Sequence, residues 1–226
     1  MTQQYIHYAT NPMTQNTIYC FWTGDNPLTE NRIHNLDQLA KISECNVRLV
    51  TKHDIPAYIL PDHPLHEAYD YLSETHKADY LRTYFMHFHG GGYCDIKQTT
   101  GSWLECFRQF ENSDYWICGY KEVPWGVGYP PNRDKWSELV GNGSYICKPQ
   151  TALTQEWYSS MLAFLDTKLE PLKENPASNP QDCAEDGSGY PIEWNEMLGR
   201  IFHKVLYNHK EHILNTLPTL ILDNYR

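Results

Sequence analysis

An α/β fold, with a mixed, mostly parallel central sheet flanked by helices, follows from three features of the sequence. Residues 17–22 (TIYCFW) are a short continuous β-favouring run, which suits a strand buried on both faces, and residues 46–51 (NVRLVT) read as a second strand. Between them Ile33, Leu36, Leu39 and Ala40 recur at helical spacing. The chain therefore opens strand–helix–strand, the pattern of a parallel sheet. Hydrophobic residues make up 41% of the 226, an ordinary globular share that allows one domain with a sizeable core. No linker or internal repeat divides the sequence. One domain over 1–226 is expected, with a ligand-binding half (1–100) and a second half (101–226).

The remaining elements follow in order. A Pro- and His-rich connection over 53–66 leads to the best-defined helix, for which Ser73 is the expected N-cap. Ala78, Leu81, Phe85 and Phe88 mark its apolar face, and Gly90-Gly91-Gly92 stops it, as glycines do where the chain leaves helical dihedrals. Residues 93–96 read as a short strand, 102–110 as a helix and 115–120 (YWICGY) as a strand. The proline-rich stretch 121–133 predicts an exposed loop. Residues 144–148 predict a strand, 151–167 an amphipathic helix, 174–190 a long loop and 192–207 a last helix. Loops as long as 174–190 are often functional lids.

Charge and cysteine usage exclude several classes. The formal charge is -10, without a run of Lys or Arg, and nucleic-acid binding needs clustered cations. Seven cysteines, widely spaced and without a CxxC pair, indicate neither a zinc module nor a disulfide framework. A reducing compartment, the cytoplasm, is expected (the host cytoplasm for a viral protein). Residues 1–12 show no basic region followed by an apolar one, so no signal peptide is expected there. No apolar stretch approaches the ~20 residues of a membrane span. The 14% aromatic share suits either stacking on flat ligand rings or an aromatic core.

The chemistry concentrates in residues 73–97. Asp79 and Arg82 are three apart and share a helix face. The triple glycine permits a sharp turn and close approach of a ligand, and Asp95 follows at the end of a short strand. Spacing alone leaves two readings open: a ligand site, or a surface ion pair with a flexible turn and a solvated carboxylate.

Ala78-Asp79, Arg82, then Gly90-Gly91-Gly92-Tyr93-Cys94-Asp95 resembles the sugar-binding region of the Asp-x-Asp glycosyltransferases of GT-A type. These include capsular-polysaccharide and mannosyl-type transferases. Tyr84 stands displaced from the family's tyrosine position. The strand from Tyr19 to Gly24 is similar to the family's opening strand, whose end holds the nucleotide base. The segments GNGSYICKP (141–149) and GYPIEWNEMLGRIFH (189–203) resemble small transferases of large algal (chlorella) viruses. The resemblance implies a single GT-A-like domain with a Rossmann-like nucleotide-sugar-binding half (1–100) and an acceptor-side half (101–226). It also implies sugar transfer from a nucleoside diphosphate sugar, above all a UDP-sugar, to a glycan or glycoprotein, with retention of anomeric configuration. Where the family has its second Asp, this chain has Lys97. A divalent metal (Mn2+ or Mg2+) normally bridges that motif and the diphosphate. Here the metal either stays on Asp95 with water and phosphate oxygens, or Lys97 takes over part of the charge compensation; the first is the expectation.

Under that resemblance Phe21, Trp22, Thr23 and Gly24 line the base and ribose pocket, and Thr51, at the end of the second strand, contributes. Lys77 and Arg82 contact phosphate or sugar, Asp79 accepts from sugar hydroxyls, and Gly92 lets the ligand approach. Asp95 touches ribose, metal or both. A Gly141-Asn142-Gly143 turn either meets donor or acceptor through Asn142 or is a plain β-turn. Glu193 and Asn195 are either site residues or ordinary first-turn helix residues. Trp194 either stacks on sugar or fills the core. For a retaining nucleophile the sequence offers only Glu193 and Asp186.

Competing readings are weaker. His89-Gly90-Gly91-Gly92 imitates an esterase oxyanion hole but lacks a G-x-S-x-G partner. His87-x-His89 on a helix does not converge on one metal. A nucleotidyltransferase would want a Gly-rich phosphate loop after the first strand, which TGDNP does not resemble. The serious alternative is a non-catalytic binder of nucleotide sugars or carbohydrate that lost activity with the second Asp.

Overall fold

The computed structural model describes residues 16–223; the expectation about residues 1–12 lies outside them. β1 (Thr17–Trp22) and β2 (Asn46–Thr51) pair in parallel along their whole length, from Thr17 opposite Asn46 to Trp22 opposite Thr51. The helix between them, α1 (Glu30–Ser43), begins where the Thr29 side chain accepts from the Arg32 backbone N–H. It ends at Glu44 in the left-handed region (φ 58°). Ser73 caps α2 (Glu74–Phe88) by accepting from the His76 N–H. Gly90 (φ 66°) and Gly91 (φ 84°) then turn the chain into β3 (Gly91–Cys94). Both adopt the left-handed backbone that an L side chain resists.

Beyond it lie β4 (Gln98–Thr99), α3 (Leu104–Glu111), β5 (Ile117–Lys121), β6 (Val140–Cys147), α4 (Ala152–Glu174), α5 (Ile201–Asn208), β7 (Ile213–Leu214) and β8 (Leu220–Ile221). The six-stranded sheet has the order β2-β1-β3-β6-β5-β7. The β2–β1, β1–β3 and β5–β7 pairs are parallel, while β3–β6 and β6–β5 are antiparallel. β4 and β8 form a separate two-stranded pair. The main sheet draws strands from both sides of residue 100, so the two halves share one sheet.

Strand alternation sorts the core onto two faces. Ile18, Cys20, Cys94, Cys118 and Ile146 join Leu39 of α1 and Cys106 and Phe110 of α3 on one side. Phe21, Tyr93, Ile117, Tyr145 and Cys147 join residues of α2, α4 and α5 on the other. Cysteines on β1, β3, β5 and β6 are buried as small apolar fillers, as expected for thiols in strands. No helix among the described residues is long and apolar enough to cross a membrane.

Several boundaries differ from expectation. Gly141, Asn142 and Gly143 are not a turn; they lie inside β6. A Cβ on Gly141 would sit 2.0 Å from Cζ of Tyr120, so the glycine leaves room for a ring from the neighbouring strand. The strand expected at 93–96 lies two residues earlier, which leaves Asp95 just past its end. The stretch 121–133 is only partly exposed: Glu122, Val127 and Asn132 are buried, and a 3-10 segment runs from Pro130 to Glu138. The last helix opens with a π-helical stretch, Glu196–Arg200, so Glu193 and Asn195 precede it. α4 continues seven residues past the expected end at 167, to Glu174.

Phe85 sits at the centre of the α2 face, with ring centroids 5.1 Å from Tyr19, 4.9 Å from Phe21 and 4.9 Å from Tyr58. Phe85→Ala is expected to lower stability by about 3–5 kcal/mol, read as a fall in urea midpoint at unchanged slope.

Candidate active site

A cleft of about 830 Å³ opens at the carboxyl ends of β1 and β3, the edge of an α/β sheet where ligands usually bind. Its size suits a nucleotide-sized ligand. Phe21, Trp22, Thr23 and Gly24 form one wall. Trp22 is held by a hydrogen bond from its indole N–H to the Asn26 carbonyl (2.7 Å), and the Arg32 guanidinium lies over its ring at 4.4 Å.

The opposite wall is a buried ionic cluster built on α2, β3 and β6. Arg82 Nη2 lies 3.0 Å from Asp79 Oδ1 and 3.6 Å from Asp95 Oδ1. Its Nη1 donates to the Asn142 carbonyl at 3.0 Å, and its guanidinium covers the Tyr93 ring at 4.3 Å. The Tyr93 hydroxyl donates to Asp95 Oδ1 at 2.7 Å, and Lys97 Nζ donates to Asp95 Oδ2 at 2.8 Å. The backbone fixes Asp95 too, since its N–H donates to the Gly143 carbonyl at 2.8 Å.

Burial pushes the Asp79 carboxyl up to about 7, with Asp95 adding to the rise and Arg82 opposing it. Asp95 goes the other way. Burial favours its neutral form, but Lys97, Arg82 and the hydrogen bonds from Lys97 and Tyr93 hold it below the usual carboxylate range. Two carboxylates on one arginine thus have separated proton affinities.

The third wall comes from the long loop. The Asp182 carboxylate accepts from the backbone N–H groups of Ser178 (2.7 Å) and Asn179 (2.9 Å). The Thr75 N–H donates to the Pro180 carbonyl at 3.1 Å, which seats Asn179, Pro180 and Gln181 against the start of α2. His76, buried at that start, meets the Tyr190 hydroxyl at 3.0 Å and Ser73 Oγ at 3.2 Å. That contact anchors the stretch that brings Trp194 and Asn195 to the cleft.

Of the residues singled out from sequence, Phe21, Trp22, Thr23, Gly24, Asp79, Arg82, Asp95, Lys97, Asn142 and Asn195 converge on this cleft. Thr51, Lys77, Gly92 and Glu193 are not among its lining residues. Thr51 Oγ1 donates to Asp54 in a turn (2.6 Å), and Lys77 pairs with Glu74 at 3.0 Å. Glu193 pairs with Arg200. Gly92 is packed inside the sheet, where a Cβ would lie 3.1 Å from Ile18 Cγ1. Asp186 caps its own turn, accepting from the N–H groups of Cys183 and Ser188 at 2.9 and 2.7 Å. Trp194 is 43% exposed, so the core reading of this ring does not hold.

Tyr93, Asn26, Arg32, Glu74 and the Asn179–Gln181 segment also line the cleft and were not foreseen. Tyr93 had a signal: it stands two residues before Asp95 at the end of a strand, where alternate residues share a side.

Asp95 is the residue expected to hold a divalent metal. Both its oxygens already face cations or a donor, with Lys97 on Oδ2 and Tyr93 and Arg82 on Oδ1. Among the described residues no group of three or more His, Cys, Asp or Glu could hold an ion. These residues do not fit a protein-held divalent cation.

No known protein family and no curated protein matches the sequence. In three dimensions the chain is similar to the PaToxG glycosyltransferase. The TM-score is 0.52 at 11% identity, over 86% of this chain and 69% of that one. The chain shares a glycosyltransferase fold.

The raised Asp79 carboxyl carries a pH signature. Its ordinary value is about 3.9, so between about 4 and 7 the folded state keeps a proton that the unfolded state has lost. Stability from this group is therefore full below about 4 and falls as pH rises through about 7. His76, pushed down to about 4 by burial, slopes the other way, losing stability as pH falls from about 6.5 to about 4. Asp79→Asn isolates the first effect. Relative to the parent, the variant is expected to be more stable at pH 8 than at pH 4.5, measured by urea midpoints.

Proposed function

We propose that this chain is a glycosyltransferase that moves a sugar from a nucleoside diphosphate sugar, with a UDP-sugar as first choice, to a glycan or glycoprotein acceptor. The observation that carries this reading is one cleft with two chemically distinct walls. Phe21–Gly24 offers aromatic and backbone contacts for a base and ribose. Arg82, Lys97 and Asp95 offer cations for phosphate and a carboxylate for hydroxyls. The glycosyltransferase fold of the chain supports the same reading.

Each group then has a task. Arg82 and Lys97 stabilise negative charge as the diphosphate leaves. Asp95, kept ionised by its neighbours, accepts hydrogen bonds from ribose or sugar hydroxyls. Asn142 and Asn195, both lining the cleft, orient the donor sugar. Asn179, Gln181 and Trp194 face the acceptor.

Retention of configuration is part of the proposal. Glu193 and Asp186 are engaged elsewhere, and the lining carboxylates Glu74, Asp79 and Asp95 each have a cationic partner. A covalent glycosyl intermediate would have to take its nucleophile from one of these ion-paired carboxylates, so the proposal is same-face attack. The bond from the anomeric carbon to the phosphate oxygen breaks, and that oxygen takes the proton of the acceptor hydroxyl. The acceptor oxygen forms the new bond on the same face.

The test is turnover on a panel of UDP- and GDP-sugars, as hydrolysis or transfer. Asp95→Ala is expected to reduce turnover at least about a hundredfold, since a half-buried charged partner is lost to both ligand and cations. Unchanged turnover would remove Asp95 from the site. Anomer-resolved NMR should show the donor's configuration in the product; inversion rules out same-face attack. Binding of UDP without turnover on any donor selects the non-catalytic binder instead.

A further inference from the structure

Building on the glycosyl-transfer reading above, we propose that Lys97 and Arg82 do at the donor diphosphate what a divalent metal would do. The cleft then binds a nucleoside diphosphate without a metal ion.

The donor set is the first argument. A cation bound to Asp95 would have to approach a carboxylate whose Oδ2 is 2.8 Å from the Lys97 ammonium and whose Oδ1 accepts from Tyr93 at 2.7 Å. A divalent ion beside that ammonium meets like charge in a partly desolvated site, where repulsion is strong. Asp79, the other acidic residue of the cluster, is only 3% exposed and is held by Arg82 at 3.0 Å.

Charge arithmetic is the second. Two carboxylates plus a divalent cation sum to zero, and one carboxylate plus one ammonium also sum to zero. Asp95 and Lys97 reproduce that balance with side chains alone. Arg82 adds a permanent positive charge that no accessible pH removes.

Preorganisation is the third. The Lys97 N–H donates to the Asp95 carbonyl at 2.6 Å, a tight local turn. The next two residues, Gln98 and Thr99, pair with Ile221 and Leu220, so the backbone carrying the ammonium is clamped on both sides. Arg82 is fixed by the Asn142 carbonyl and the Tyr93 ring. Fixed cations aimed at a leaving group need no reorganisation as charge develops, and a lysine acts there as a compact point charge.

Calorimetric titration of the purified chain with UDP and with GDP, in EDTA and in Mn2+, tests the proposal without requiring turnover. At least one nucleotide is expected to bind with dissociation constants in the two buffers that agree within about twofold. Lys97→Ala is expected to weaken binding in EDTA by about tenfold or more. Lys97→Asp should bind weakly in EDTA and recover in Mn2+, because the substitution supplies a second carboxylate. Thermal melts of both variants establish that they fold; if either does not, the two-buffer comparison on the parent chain decides alone. Loss of parent binding in EDTA with recovery in Mn2+ overturns the proposal and leaves the glycosyl-transfer reading standing. So does an unchanged affinity for a folded Lys97→Ala. Failure to bind either nucleotide in both buffers overturns the two together.

Discussion

A guanidinium taken almost wholly out of water governs this molecule. Arg82 is 6% exposed, and an arginine cannot shed its proton to escape the cost of burial. Its charge must therefore be met in place, and the fold supplies partners from three elements. Asp79 comes from the same helix, Asp95 from the end of β3, and the Asn142 carbonyl from within β6. Removing one partner of such a cluster leaves an uncompensated buried charge, which costs several kcal/mol. The helix, the sheet and the cleft wall thus cannot shift independently.

The change of strand direction in the sheet gives that cluster its shape. β1 and β3 run parallel, with β1 continuing to Trp22 past the level at which β3 ends, while β6 returns antiparallel beside β3. The carboxyl end of β3 therefore lies next to the early residues of β6. Asp95 meets the Gly143 carbonyl there, and Arg82 meets the Asn142 carbonyl. The glycines of β6 are part of the same construction, since Gly141 makes room for the Tyr120 ring. The Tyr120 hydroxyl in turn accepts from the Gly143 N–H at 3.3 Å.

Much of this was legible in the sequence wherever local periodicity and final structure agree. β1, β2 and the Ser73 cap were readable residue by residue, because apolar runs and an N-cap serine act locally. Asp79, Arg82 and Asp95 were picked out by their spacing around the glycine break, but spacing left a ligand site and a surface ion pair equally open, and only the resemblance grouped them. What escaped depends on contacts between distant residues. Gly141-Asn142-Gly143 has the composition of a turn and becomes a strand only because Tyr120 packs on it. Glu193 and Lys77 have the chemistry of site residues, yet nearer partners, Arg200 and Glu74, claim them. The loop residues Asn179–Gln181 carry no periodic signal at all. Their place is set by the Asp182 carboxylate and the start of α2.

The small β4–β8 pair carries a consequence in time. It joins Gln98 and Thr99, directly after Lys97, to Leu220 and Ile221, and the neighbouring contact between Thr100 and Thr219 spans 119 positions of sequence. A Cβ on Gly143 would lie 2.8 Å from Leu220 Cδ1, so the same distant residues also press on the floor beneath Asp95. A growing polypeptide can fold β1, α1, β2 and α2 soon after they leave the ribosome. It cannot clamp the lysine until residues 220–221 have emerged. The cleft itself draws on Asn142, Asn179 and Asn195, so hollow and charge pattern alike wait for residues made long after α2.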